Sequence, residues 1–238
     1  MKKLKIGLFG GSGKMGQQAE DVVLQSKHTP YLFVGSKKSK HFAISVSDLK
    51  NTEVEILNEV DVWIDFSSAL GLSELLKNTK KTPVVSGTTG LTSNQFKKIK
   101  TQAQLRPVFW ASNLSVGLWS FRQALKALSS IADFDFAIEE IHHTEKKDKP
   151  SGTALTLRND LESILNKKMN LPQSQRLGGV YGIHTVHAAS QDELISFKHQ
   201  AINRKVFASG ALRAAEWLVN QKSGFYTMDD MLLKRGNK

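Results

Sequence analysis

Short apolar runs alternate with longer amphipathic stretches through the first half of the chain. Leu4–Phe9, Tyr31–Val34, Asp61–Phe66, Pro83–Val85 and Val108–Ala111 read as strands, and Met15–Ser26, Leu70–Asn78 and Ser93–Gln104 as helices between them. Strands that alternate with helices predict a parallel sheet with helices on both faces. The second half has a different rhythm. Val116–Ile131 reads as one long amphipathic helix, Asp135–Ile141 alternates as a strand does, and Thr153–Lys168 is a helix opened by Pro150-Ser151-Gly152. Ile183–Ala189 and Leu194–Ile202 follow as strands with no helix between them, so this part predicts an antiparallel or mixed sheet and a separate α+β domain. Ala208–Gln221 is a strong helix near the C-terminus.

The junction of the first strand and first helix is Gly10-Gly11-Ser12-Gly13-Lys14-Met15-Gly16. Gly11, Gly13 and Gly16 satisfy G-x-G-x-x-G. Glycine permits a tight turn and lets backbone approach a pyrophosphate, while the helix N-terminus supplies N–H groups and a positive dipole end. A glycine-rich turn of any α/β protein is the competing reading. The position inside a strand–helix–strand pattern favours a dinucleotide and a Rossmann-type, doubly wound parallel sheet. No Gly-Lys-Ser/Thr closes the loop, so it is not a Walker loop. After the second strand, where an NAD site places a carboxylate for the ribose hydroxyls, the chain has Ser36-Lys37-Lys38. An ammonium attracts a 2′-phosphate, so the pattern favours NADPH without excluding NADH; a solvated basic loop is the competing reading. Ser86–Gly90 and Ala111–Leu114 follow further apolar strands, where an open α/β sheet places its ligands, although each taken alone also reads as an ordinary turn.

Composition narrows the chemistry. The 238 residues contain no cysteine, which removes disulfides, thiolate catalysis and Cys metal sites and fits a reducing cytoplasm. No apolar run approaches the ~20 residues of a membrane helix, and MKKLKIGLFGG is too glycine-rich for a signal peptide. The net charge of +11 is dispersed, with no long basic run. It suits a phosphate-bearing cofactor and a carboxylate substrate better than nucleic acid or a membrane.

Glu140 to Ala154 carries the most chemistry: EIHHTEKKDKPSGTA leaves a strand and enters a helix. Ser151 is a good N-cap, which leaves the first-turn N–H groups of Gly152 and Thr153 to bind a carboxylate. His142 and His143 suit anion binding or proton movement near neutrality. Lys146 suits proton delivery to a carbon that turns basic once hydride arrives. A charged, solvated loop ahead of a helix cap is the other reading of these residues.

This stretch resembles the signature of the dihydrodipicolinate reductase family, Glu-x-His-His-x-x-Lys-x-Asp-x-Pro-Ser-Gly-Thr-Ala, and matches it in full. The resemblance extends to the glycine loop, Asp65-Phe66-Ser67, Gly87–Gly90, Ser112–Gly117, Phe207–Ala215 and Gly224–Met228. It implies a Rossmann-type domain of residues 1–114 plus 211–238, with residues 115–210 inserted as an α+β substrate and tetramerisation domain. It implies reduction of 4-hydroxy-tetrahydrodipicolinate, through a cyclic imine dicarboxylate, to tetrahydrodipicolinate on the diaminopimelate route to lysine, with NADPH or NADH as donor. It implies His142 as acid/base, Lys146 as proton donor, and His143, Gly152 and Thr153 as carboxylate contacts. Cofactor contacts are then Gly10, Gly11, Ser12, Gly13, Lys14, Met15, Ser36, Lys37, Gly87, Thr88, Thr89, Ala111, Ser112, Asn113 and Leu114. A cytoplasmic homotetramer that needs no metal is the implied form, with its active site between the two domains. The chain departs from the family at Lys14 and Ser68, where arginine is common, and at Ser36, where an acid is usual.

Two other functions compete: a Rossmann amino-acid dehydrogenase acting on aspartate or diaminopimelate, and a non-catalytic dinucleotide sensor. The His-His-x-x-Lys…Pro-Ser-Gly-Thr stretch separates the reductase from both. His184 and His187, three apart on a strand, point to opposite faces and make a poor metal pair. Trp119, Phe121 and Leu125 read as core, and Asp229-Asp230 as a helix start or solvated surface.

Overall fold

In a computed structural model, residues 2–35, 43–45, 49, 54–79 and 81–233 are described. The chain folds into two compact units, Met1–Leu114 with Phe207–Lys238, and Ser115–Val206. The return to the first unit thus comes at Phe207, slightly ahead of the expected residue 211. Ser36 and Lys37 lie outside the described residues.

The first unit runs β1 (Lys5–Phe9), α1 (Lys14–Leu24), β2 (Thr29–Gly35), β3 (Ala43–Ser45), α2 (Val54–Asn58), β4 (Val62–Asp65), α3 (Ala69–Asn78), β5 (Val84–Ser86), α4 (Ser93–Gln102) and β6 (Pro107–Trp110). After the second unit, α7 (Lys205–Leu218), β11 (Gly224–Tyr226) and α8 (Met228–Leu232) complete it. The sheet order is β11-β6-β5-β4-β1-β2-β3, and every pairing is parallel. The apolar runs had to be strands covered on both sides: all four residues of β4 are buried. Trp63 packs edge-on against Phe9 at 6.5 Å. The α3 C-terminus is closed by Arg106, whose guanidinium donates to the carbonyls of Leu76 and Thr79; burial lowers its pKa to about 10. β3, α2, β11 and α8 leave little trace in the sequence pattern because each is five residues or shorter. Asp229-Asp230 is a helix start: Thr227 and Asp230 form a capping box at α8.

The second unit contains α5 (Val116–Ala124), a 3-10 segment (Leu125–Ile131), β7 (Asp135–His142), α6 (Gly152–Leu165), β8 (Gln173–Arg176), β9 (Ile183–Ala189) and β10 (Leu194–Gln200). Its sheet order is β10-β9-β7-β8. The β7–β8 pairing is parallel and the other two are antiparallel, which makes the sheet mixed. Leu125, Leu128, Ile138, Leu157, Leu161 and Val186 form its core, with Phe121 packed against it.

Three elements differ from expectation. The predicted helix Val116–Ile131 tightens at Leu125, where Ser129 and Ser130 donate to carbonyls three residues back. α6 starts at Gly152 and stops at Leu165 instead of Lys168, because Asn166 takes the left-handed conformation at φ 50°. β8 is a strand that the pattern does not predict, because its sequence, QSQR, carries no apolar signal.

α7 is lined with small residues; Ala208, Gly210, Ala211, Ala214 and Ala215 are buried. A Cβ on Gly210 would lie 1.8 Å from the carbonyl oxygen of Leu114. Gly210→Ala is therefore expected to cost about 1–3 kcal/mol of stability through overpacking, read as a lower Tm in thermal unfolding.

Candidate active site

The first unit gathers its loops at the C-terminal ends of the parallel strands. Gly10, at φ +81°, turns the chain out of β1, and its N–H and that of Gly11 donate to the Val34 carbonyl at 2.8 and 3.1 Å. A Cβ at Gly16 would lie 2.3 Å from the Gly10 oxygen, so α1 starts in direct contact with the loop. Gly13 caps α1 with no side-chain hydrogen bond. A cavity of about 440 Å³ opens over this turn, lined by Gly10, Ser12, Gly13, Gly35, Phe66 and Ser67 among others. A helix start capped by bare backbone beneath an open cavity fits a dinucleotide pyrophosphate.

The next two loops are joined by Asp65, a residue of the Asp65-Phe66-Ser67 stretch for which the sequence suggests no role. Asp65, at the end of β4, is fully buried. Its carboxylate accepts the Ser67 N–H at 3.0 Å, the Ser86 hydroxyl at 2.6 Å and the Thr88 hydroxyl at 2.7 Å. Burial raises its pKa and prevails over those hydrogen bonds. Trp110 Nε1 donates to the Thr88 carbonyl at 2.9 Å. Thr88 is thus buried with its hydroxyl turned to Asp65, while Thr89 is exposed. Ala111 and Leu114 are buried and Ser112 is exposed, so of these three Ser112 presents its side chain outward.

In the second unit, β7 delivers Glu140 and His142 to one face because they are two apart on a strand. Glu140 is fully buried. Its Oε2 meets Nδ1 of His142, and its Oε1 accepts from Arg176 Nη1 at 3.0 Å and from the Ser151 N–H at 3.3 Å. Arg176 stands beside His142 in the β7–β8 register. It also donates to the carbonyls of Lys146 and Asp148, which fixes the loop between β7 and α6. Neither the strand nor its arginine had a sequence signal; cross-strand pairing alone puts Arg176 there.

That loop brings Lys146 to the start of α6. Its Nζ lies 2.8 Å from Asp148 Oδ1, and Asp148 Oδ2 accepts the Gly152 N–H at 3.3 Å. Ser151 caps α6 by accepting from the Ala154 N–H at 3.2 Å. A Cβ at Gly152 would meet nothing within 4 Å, so there is space over this helix start. His143 and Thr153 are half-buried. Thus His142, Lys146 and Gly152 come together on one strand–loop–helix segment.

Burial lowers the His142 pKa; Glu140 opposes that, and Lys146 and Arg176 add to it. For Glu140, burial acts upward, but the groups around it, the Ser174 hydroxyl first and then Arg176 and His142, prevail and lower its pKa. His184 and His187 do face opposite ways. His187 pairs with Ser196 at 2.8 Å, whereas His184 is buried beside His142. Glu140, His142 and His184 put one potential ligand atom each within 4.8 Å of one another. Arg176 already lies against the carboxylate, and a second cation there would meet its repulsion.

The family model for the dihydrodipicolinate reductase N-terminus matches residues 4–114, and that for the dihydrodipicolinate reductase C-terminus matches residues 117–232. The 4-hydroxy-tetrahydrodipicolinate reductase of Bdellovibrio bacteriovorus is 44% identical over 240 residues, covering 100% of both chains. That of Thermosipho africanus is 38% identical, covering 96% of this chain and 98% of its own. Among solved structures, dipicolinate-bound dihydrodipicolinate reductase from Paenisporosarcina superposes with a TM-score of 0.76 at 21% identity, covering 97% of this chain and 100% of that one. A diaminopimelate dehydrogenase from C. glutamicum shares the fold more distantly, with a TM-score of 0.54 at 11% identity over 95% and 93% of the two chains.

Glu140 is what raises the His142 pKa, so Glu140→Gln should move that imidazole's titration midpoint further down. A proton NMR titration of the His142 ring in both proteins measures the difference; an unchanged or higher midpoint would contradict the pairing.

Proposed function

This chain belongs to the dihydrodipicolinate reductase family, and from that membership we propose that it reduces 4-hydroxy-tetrahydrodipicolinate, through the dihydrodipicolinate imine, to tetrahydrodipicolinate. One observation carries the reading at the level of chemistry. Lys146 and the Gly152 N–H converge on a single carboxylate, that of Asp148, beside the Glu140–His142 pair. A donor set that accepts a carboxylate of the chain suits a substrate carboxylate in its place.

When bound, the nicotinamide supplies a hydride to the conjugated imine. The glycine loop Gly10–Met15 takes the pyrophosphate on backbone, and Gly87–Thr89 and Ala111–Leu114 border the nicotinamide half. Asp65 positions Thr88 and acts on the cofactor only through that loop. Gly152, Thr153 and His143 hold a substrate carboxylate. Hydride addition at carbon leaves an electron pair on the conjugated system, and a proton from Lys146 Nζ quenches it. His142, its Nδ1 against Glu140, exchanges protons through Nε2 and restores the ammonium. Ser36 and Lys37 provide the ribose end, with Lys37 favouring the 2′-phosphate of NADPH over NADH. The working form is a cytoplasmic homotetramer joined through the sheet of the second unit. Full-length identity to named reductases favours this reading over an amino-acid dehydrogenase, and the Lys146–Gly152 convergence favours it over a dinucleotide sensor.

The test follows loss of nicotinamide absorbance with the coupled aldol product of pyruvate and aspartate semialdehyde. Lys146→Ala should lower turnover roughly 10^2–10^4-fold with cofactor affinity nearly unchanged, and His142→Ala should act likewise. Lys147→Ala should stay close to wild type. Normal turnover in Lys146→Ala with loss in Lys147→Ala would assign the proton to the neighbouring lysine.

Cofactor choice has its own check. Lys37→Glu should weaken NADPH selectively, and the wild-type preference should shrink as salt rises. A strong, salt-independent preference for NADH would contradict it.

A further inference from the structure

The second sheet carries a polar row across its buried face. The registers pair Glu140 with His184 and His184 with His199, so three strands contribute one residue each. His184 is the middle member, 4% exposed, and no step of the reaction above uses it. Its Nε2 lies 3.4 Å from the Ser151 hydroxyl, and its ring meets that of His142 edge to face at 5.1 Å. Gly182 allows the fit: at φ +151°, its missing Cβ would lie 3.1 Å from His142 Nε2 and 3.7 Å from the His184 ring.

Glu140 touches the same two neighbours from the other side, through His142 Nδ1 and the Ser151 N–H. Glu140, His142, His184 and Ser151 therefore form a closed ring of contacts. One corner is the acid/base histidine and the opposite corner caps the helix that receives the carboxylate. We propose that His184 is a positioning residue that locks the Ser151 cap, and with it the Gly152 N–H, in fixed relation to His142.

The assignment rests on the reductase reading. Burial, with His142, His199 and Lys146 adding to it against Glu140, lowers the His184 pKa to about 3, so the ring works as a neutral hydrogen-bonding group. A neutral imidazole bonds the serine hydroxyl without adding charge next to His142. The alternative is a core histidine that only fills space, and matched variants separate the two.

In the full-length protein, His184→Gln keeps an amide within reach of Ser151, whereas His184→Asn is one methylene too short. Calorimetric Kd for pyridine-2,6-dicarboxylate, KM and kcat are measured for each, with the NADPH Kd as control. His184→Asn is expected to weaken the dicarboxylate and raise KM about 10-fold, as the loss of one buried hydrogen bond implies. His184→Gln should stay within about 3-fold of wild type, and NADPH affinity should not move in either. In a Ser151→Ala background the two variants should become indistinguishable. If His184→Asn does not fold, His184→Phe supplies the variant without the bond. Equal effects of Asn and Gln, or a difference that survives Ser151→Ala, would overturn the assignment. Wild type that oxidises neither NADPH nor NADH with the substrate would instead overturn the reductase reading.

Discussion

A carboxylate with no access to water orders the second unit. Glu140 lies in the middle of the sheet, where an unpaired charge would cost several kcal/mol. It is satisfied by Arg176, by His142 and by the N–H of Ser151. Those three partners come from a parallel strand, from its own strand and from the next helix. The requirement to satisfy one acid thus fixes the angle of the imidazole, the path of the loop and the start of α6. Removing any partner leaves the acid undercompensated, so the arrangement stands or falls together.

The first unit uses a related device with a different electrostatic outcome. Asp65 is buried as deeply as Glu140 and ties the loop after β4 to the loop after β5. The groups that hold it are hydroxyls and an N–H, all of them neutral, and burial wins: its pKa rises. Glu140 has the Ser174 hydroxyl and, in addition, a guanidinium and an imidazole beside it, and together they win: its pKa falls. The first acid organises backbone for a large ligand and suits neutral partners. The second, with a guanidinium and an imidazole against it, is held towards its ionised form.

The fold class was legible because the burial of a parallel sheet writes itself as apolar runs: Val62–Asp65 could hardly be anything but a covered strand. Short or polar elements were not legible. QSQR became β8 only because β7 offered it a parallel partner. The candidate site divides the same way. Glu140, His142, Lys146 and Gly152 follow one another along the chain, so a motif could display them. Arg176 and His184 enter by register across strands, which no spacing encodes; Asp65 was visible as part of a motif, but its tie between two loops comes from burial. The alternation of a strand separates His184 from His187, and it carries no hint of the His184 contacts with Ser151 and His142.

The central claim is that the start of α6 and Lys146 form a carboxylate site held by Glu140, with Asp148 occupying it in the free protein. A crystal structure of this protein with pyridine-2,6-dicarboxylate tests that most directly. The account predicts one ligand carboxylate on the Gly152 N–H with Lys146 Nζ in hydrogen-bond range, Asp148 displaced from Gly152, and the Glu140–His142 contact intact. A ligand bound elsewhere, with Asp148 still accepting from Gly152, would contradict it.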